Sequence, residues 1–150
     1  MSNADPLRTL NPSIVGQAEK AHTAILNKVL TGTTLDEHQW ITLQLALRSG
    51  ERIDPECLTD EVSRAAKYPP GEVETAITAL VEASLMKRLP DDPRSLAVTA
   101  EGQELVTALR AKVAHYVGGA YGSIPAEDLA TTARVLTTIT AKLSEDLARA

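Results

Sequence analysis

The chain is 150 residues long, 43% hydrophobic and 23% charged, with a formal net charge of −5. That length admits one domain with a substantial core, or a compact domain carrying an extra helical layer. The acidic balance argues against a generic polyanion binder, whose affinity comes from clustered cations that neutralise phosphates.

Phe is absent and aromatics make up only 3%, so the core has to be built from Leu, Val, Ile and Ala, a composition that favours a mostly helical fold. The single cysteine, Cys57, cannot close an intramolecular disulfide. No apolar run reaches the length of a membrane span and no signal-peptide pattern opens the chain, so a cytoplasmic location without a membrane partner is expected. Met1-Ser2-Asn3-Ala4 reads as a cloning remnant and is set aside.

In chain order, Asn11 or Ser13 opens a first helix with Pro12 early in it. Its apolar set (Ile14, Val15, Ala18, Ala21, Ile25, Leu26, Val29, Leu30) is broad enough to imply contact on more than one side, and Thr31-Gly32-Thr33-Thr34 ends it. A second helix is expected from Leu35 to Leu47, with Thr34 as N-cap, Glu37 three residues on, and Trp40, Ile41, Leu43, Leu45 and Leu47 as its face. Residues 48–52 read as a loop, and Asp54-Pro55-Glu56 as either a helix start or a turn. A short third helix follows from Thr59 to Lys67, with Leu58, Val62, Ala65 and Ala66 inward.

Pro69-Pro70-Gly71 re-aims the chain into a fourth helix, Pro70 to Leu85, where Val73, Ile77, Leu80, Val81 and Leu85 have the spacing of one face. Two short helices joined by a tight turn make a helix-turn-helix, whose second helix fits a major groove. From Leu89 to Thr99 the sequence is a short ribbon broken by a proline-rich acidic turn. A fifth helix is expected from Gln103 to Val117 and is interrupted by 118–123. Ser123 or Ile124 with Pro125 opens a last helix striped by Leu129, Ala133, Leu136, Ile139, Thr140, Leu143 and Leu147.

The resulting fold class is mostly α: a winged helix-turn-helix with a small β-hairpin wing, plus N- and C-terminal dimerisation helices. The expected organisation is a dimerisation helix at 11–34, a winged helix-turn-helix at 35–102 and C-terminal dimerisation helices at 103–150, all in one intertwined domain. The terminal helices carry more apolar surface than the central unit can cover, which implies a homodimer closed by two-fold symmetry.

The order of elements and several local signatures resemble the MarR family of winged-helix transcription regulators. The residues that carry the likeness are Leu58-Thr59-Asp60-Glu61-Val62-Ser63 at the first motif helix and Val73 at the start of the recognition helix. Leu80 to Arg88, Asp92-Pro93-Arg94 in the wing and the Val98-Thr99-Ala100-Glu101-Gly102 closure continue it. Ser123 to Leu147 is similar to the family's final dimerisation helix. The resemblance implies a homodimer that sets one recognition helix per subunit into successive major grooves of a pseudo-palindromic duplex, with half-sites about 34–36 Å apart. It also implies a pocket for a small-molecule effector between the dimer helices and the winged helix. The chain departs from the family at Ser84, where the family usually has Gly, in a wing shorter than usual between Arg94 and Thr99, and in Glu72 and Glu74. From Arg48 to Arg94 there are seven basic and ten acidic side chains, a net −3.

The candidate DNA-binding residues are Arg64, Lys67, Gly71, Glu72, Glu74, Thr75, Thr78, Lys87, Arg88, Arg94 and Ser95. Glu72 and Glu74 either meet the helix dipole or accept from a cytosine amino group. Thr75 and Thr78 either touch the duplex or are solvated. Arg94 either reaches a minor groove or phosphate, or pairs with Asp91 or Asp92. Arg88 either contacts phosphate or holds the wing through a carboxylate.

His22, Trp40 and Tyr116 are candidates for lining an effector cavity, with Trp40 alternatively in the core. His22, His38 and His115 lack metal-ligand spacing, so no metal and no cofactor is expected. Cys57 lies among Asp54, Glu56 and Asp60, which raise rather than lower a thiol pKa and speak against a redox sensor. No nucleophile–base–orienter set and no phosphate-cradling loop appears, so an enzyme is not expected. The expected function is a ligand-responsive repressor that binds duplex DNA. The alternative is a winged-helix protein-interaction module that has lost DNA binding.

Overall fold

Asn11 accepts the Ile14 amide at 3.0 Å, and the first helix, α1 (Pro12–Leu30), begins there with Pro12 in its first turn. The computed structural model describes residues 9–150, so the segment read as a cloning remnant lies outside the described residues. Of the broad apolar set of α1, Val29 and Leu30 are buried and Ile25 and Leu26 pack half-buried against the core, while Val15, Ala18 and Ala21 stay exposed within one chain.

The next helix, α2 (Glu37–Arg48), starts later than expected. Thr34 is not its cap. Leu35 is buried and leads into the helix from outside, and Asp36 caps it by accepting the Gln39 amide at 2.9 Å. The Gln39 side chain accepts the Asp36 amide in return, completing a capping box two residues on from the Thr34–Glu37 pair. Its buried side is Trp40, Thr42, Leu43 and Ala46, while Ile41, Leu45 and Leu47 are partly buried.

Asp54-Pro55-Glu56 is a helix start and not a turn. Asp54 accepts the Glu56 amide at 3.0 Å, Pro55 occupies the first turn, and α3 runs Pro55–Ala66, four residues earlier than the expected Thr59. Leu58, Thr59 and Val62 face the core, and Ala65 is exposed instead of inward. Lys67 closes α3 in the left-handed conformation at φ 62°.

Helix α4 (Pro70–Glu82) buries Val73, Ala76, Ile77 and Leu80 and stops short of the expected Leu85. Ser84 has φ 61°, its amide bonds Val81 O at 3.0 Å, and the Leu85 amide bonds Leu80 O at 3.0 Å. These two bonds form the helix-ending motif that favours glycine at the left-handed position, which accounts physically for the family's usual residue there. Ser84→Gly is therefore expected to raise stability by up to about 1 kcal/mol, since a side chain at positive φ costs roughly that much. A urea titration that shows no gain would remove the strain assigned to Ser84.

The wing pairs β1 (Met86–Arg88) antiparallel with β2 (Leu96–Val98), Met86 facing Val98 and Arg88 facing Leu96. A third partner, which the sequence reading placed in or next to a loop, is Ile53. It is 2% exposed and exchanges two 2.8 Å backbone hydrogen bonds with Leu96.

Beyond the wing, α5 (Ala100–Tyr121) passes straight through Gly118-Gly119, which had been expected to interrupt it. Both glycines are exposed, with open space around any added Cβ. A helix already propagated tolerates such residues at about 1 kcal/mol each. The last helix, α6 (Ala126–Arg149), follows Pro125.

The chain divides into two compact units, one through Val113 and one from Ala114 to Ala150. The first holds the core: Leu43, Leu58, Val62, Val73, Leu80 and Val106 are each at most 1% exposed. Its composition is the aliphatic one expected, with Trp40 as the one buried aromatic ring among the described residues.

Candidate nucleic-acid interface

The side of α4 opposite its buried face carries Gly71, Glu74, Thr75, Thr78 and Glu82, which together line a shallow open groove. Their spacing of three and four makes one continuous stripe. The helix contains three glutamates and neither Lys nor Arg. Thr75 donates its hydroxyl proton to Gly71 O at 2.9 Å, and Thr78 donates to Glu74 O at 3.1 Å.

Glu72 and Glu74 have different surroundings. His38 Nε2 lies 3.1 Å from Glu72 Oε2, and the His38 ring stacks on Tyr68 with centroids 4.1 Å apart. Tyr68 donates its phenol proton to Glu37, and burial together with that carboxylate pushes the phenol well above the usual tyrosine range. The sequence Glu37–Tyr68–His38–Glu72 thus ties the start of α4 to the first turn of α2. Glu74 has no such tie among the described residues, and it borders a second groove with Thr59, Asp60, Thr78 and Arg88.

Arg64 is exposed in the last turn of α3, and Lys67 stands at the turn into α4. Lys87 and Arg88 are exposed on β1. Arg88 holds the wing, but through the Pro93 carbonyl at 3.2 Å and not through the carboxylate expected. The carboxylates of the turn belong to a residue that sequence reading passed over. Arg52 Nη2 lies 2.7 Å from Asp91 and Nη1 3.8 Å from Asp92. The Arg94 guanidinium therefore makes no ion pair with either carboxylate among the described residues; only its backbone amide donates to Asp92 Oδ1, at 3.2 Å, and its side chain is exposed at the tip. Ser95 is bound into the turn, its hydroxyl donating to Asp92 at 2.8 Å.

The Arg52 guanidinium holds the Asp91 carboxyl below its ordinary 3.8, chiefly by hydrogen bonding. A carboxyl depressed in the folded state contributes stability above its unfolded pKa and loses it as pH falls through the folded one. The tie between Arg52 and the wing is thus expected to persist through the usual carboxylate range and to release only in stronger acid. A carbon-detected NMR titration of Asp91 reads this, and Arg52→Ala should raise the carboxyl toward its ordinary value. No change on substitution would dissolve the tie.

Of the remaining candidates, His22 is exposed on α1 with Nδ1 2.6 Å from Ala18 O. Trp40 is 5% exposed and packed in the core. Tyr116 is exposed in the second unit, edge-on to His115. Among the described residues no group of three or more His, Cys, Asp or Glu is arranged to hold a metal ion. Cys57 is exposed and donates to Asp54 at 3.3 Å, and that bond and the acidic neighbours push its thiol up, as the sequence implied.

The described helices include none long and apolar enough to cross a membrane. No protein-family model matches the sequence, and no curated protein does. Solved structures do. CouR from Rhodococcus jostii RHA1, determined with p-coumaroyl-CoA bound, is 21% identical and superposes with a TM-score of 0.73 over 93% of this chain and 96% of that one. A MarR-family transcriptional regulator from Rhodococcus sp. RHA1 is 21% identical, with a TM-score of 0.70 over 88% of this chain and 98% of that one. The chain has the MarR fold. BpsR of Bordetella bronchiseptica, whose DNA binding is regulated by 6-hydroxynicotinic acid, is 17% identical, with a TM-score of 0.68 over 92% and 99%. In that fold, α3 and α4 are the helix-turn-helix and β1–β2 is the wing.

Proposed function

We propose that this chain is a cytoplasmic transcription regulator that binds duplex DNA as a homodimer and answers to a small organic effector, and that it is not an enzyme. The observation that carries the reading is an α3–α4 helix-turn-helix with an exposed recognition helix and a basic wing strand, set in a fold shared over nearly the full length with MarR-family regulators. Supporting it, BpsR has its DNA binding regulated by an aromatic acid and CouR takes up an aromatic acyl-CoA. Two-fold symmetry would place two recognition helices in successive major grooves of a pseudo-palindromic site. Repression follows when that site overlaps a promoter, and an effector that binds one dimer geometry better shifts the population away from the DNA-bound form.

The phosphate contacts fall to Arg64, Lys67, Lys87, Arg88 and Arg94. The test is titration of the protein with its own upstream promoter fragment and with a scrambled duplex at two salt concentrations. Tighter binding to the promoter, with a salt slope that reflects several phosphate contacts, supports the proposal. An absence of binding at low salt overturns it. That result would favour a protein-interaction module, a reading prompted by the lack of any cation on α4.

A further inference from the structure

A recognition helix distinguishes base pairs by the donors and acceptors it presents to the major groove. Among its groove-facing side chains, α4 presents acceptors alone. Glu74 and Glu82 are carboxylates, and neither Lys, Arg, Asn nor Gln occurs anywhere in the helix. The hydroxyls of Thr75 and Thr78 have given their protons to Gly71 O and Glu74 O, so their outward lone pairs can only accept. Glu72 is engaged by His38, which leaves Glu74 as the carboxylate free to enter a groove from the upper part of the stripe.

Donors on the major-groove edge are few: the N4 amino group of cytosine and the N6 amino group of adenine. Adenine sets its N7 acceptor beside that amino group, which repels a carboxylate, whereas cytosine presents only a C–H beside N4. We infer that α4 is a reader of base amino groups and that Glu74 determines specificity by accepting from the N4 amino group of one cytosine in each half-site. The inference rests on the DNA-binding reading above and goes further by naming the base chemistry selected. It also gives the acidity of this helix a role. A carboxylate weakens binding to every duplex through phosphate repulsion and regains affinity only where an amino group meets it, so affinity is exchanged for discrimination.

The test is selection from a randomised duplex pool at low salt with the full chain and with Glu74→Gln, Glu74→Ala and Glu104→Gln. Glu104→Gln makes the same charge change at an exposed position of α5. Thermal melts confirm that each variant folds. The wild-type chain is expected to recover sites with a fixed cytosine in each half-site. Glu74→Gln should move that position toward adenine, which Gln engages at N6 and N7. Glu74→Ala should flatten it, with discrimination falling about 5- to 150-fold, the equivalent of one good side-chain–base pair. Affinity of both Glu74 variants for scrambled duplex should rise. If the recovered sites are the same with and without the Glu74 carboxylate, or shift equally with Glu104→Gln, the inference is overturned while DNA binding stands. If the wild-type chain enriches no sequence, the inference falls and the proposed function falls with it.

Discussion

Gly102→Ala is expected to destabilise the winged-helix unit by about 3 kcal/mol, at the upper end for overpacking, because neither neighbour can yield cheaply. An added Cβ would sit inside van der Waals contact of the Leu85 carbonyl oxygen, which is backbone, and 2.9 Å from Val98 Cγ1. Leu85 is fixed by the end of α4 and also accepts the Thr99 amide at 3.1 Å, while Val98 belongs to β2. Relief would have to pull the first turn of α5 away from the root of the wing. Chemical denaturation followed by circular dichroism measures the loss. Gly119→Ala is the matching control, since it adds its methyl to open space in the same helix and should stabilise by up to about 1 kcal/mol. A loss at Gly102 below about 0.5 kcal/mol, the scatter of ordinary surface substitutions, would show that this junction is not close-packed.

The second large effect is expected in α6. This helix of 24 residues has no buried residue within one chain, yet Val135, Ile139, Leu143 and Leu147 recur at four-residue intervals, the last two 62% exposed. Such a stripe on a soluble helix is a surface waiting to be covered, and a second copy of the chain is the proposed cover. Ile139→Glu combined with Leu143→Glu removes two apolar side chains from each protomer. At about 25 cal/mol per Å² of apolar surface, the loss is of order 4 kcal/mol, close to three decades in the dimer dissociation constant. Light scattering at micromolar concentration should then find monomer where the parent chain is dimeric, and promoter affinity should fall with it because one half-site is lost. A variant that stays dimeric would move the interface away from α6.

Both predictions concern positions visible in the sequence, though to different degrees. The Val98 to Gly102 closure was recognised as a pattern, and the structure supplies its cause in the backbone approach at Gly102. Helix existence was legible at every element because apolar spacing reflects which face is buried. Helix starts were less so. Thr34 and Asp36 both satisfy capping chemistry, and the choice between them was made by burial of Leu35, a tertiary effect. Asp54-Pro55 has the right chemistry for a cap followed by a first-turn proline, but turns use the same pair, so the sequence alone does not choose between them.

The candidate site was legible in its framework but not in its pairings. Arg52 with Asp91 spans 39 positions, and His38 with Glu72 spans 34. No local spacing rule reaches that far. The Ile53–Leu96 bridge escaped for a similar reason, since one paired residue leaves no alternation to detect. Gly118-Gly119 reads as a stop in the sequence, yet glycine only lowers helix propensity, and α5 continues through both to Tyr121.

The burial of Trp40 has a practical consequence. It is the chain's single tryptophan, 5% exposed in the unit that ends at Val113, whereas Tyr116 and Tyr121 lie in the unit that follows. Red-edge excitation therefore lights only the winged-helix unit, and the two tyrosines, masked by Trp40 in the wild-type chain, become a reporter for the helical remainder once Trp40 is replaced and Tyr68 accounted for. Far-ultraviolet dichroism sums over both. Superimposable melts from the two signals would mark a single cooperative transition, and a gap between them would mark two units that lose structure in turn. The chain thus carries, without labelling, its own optical means of timing when the winged-helix unit opens relative to the rest.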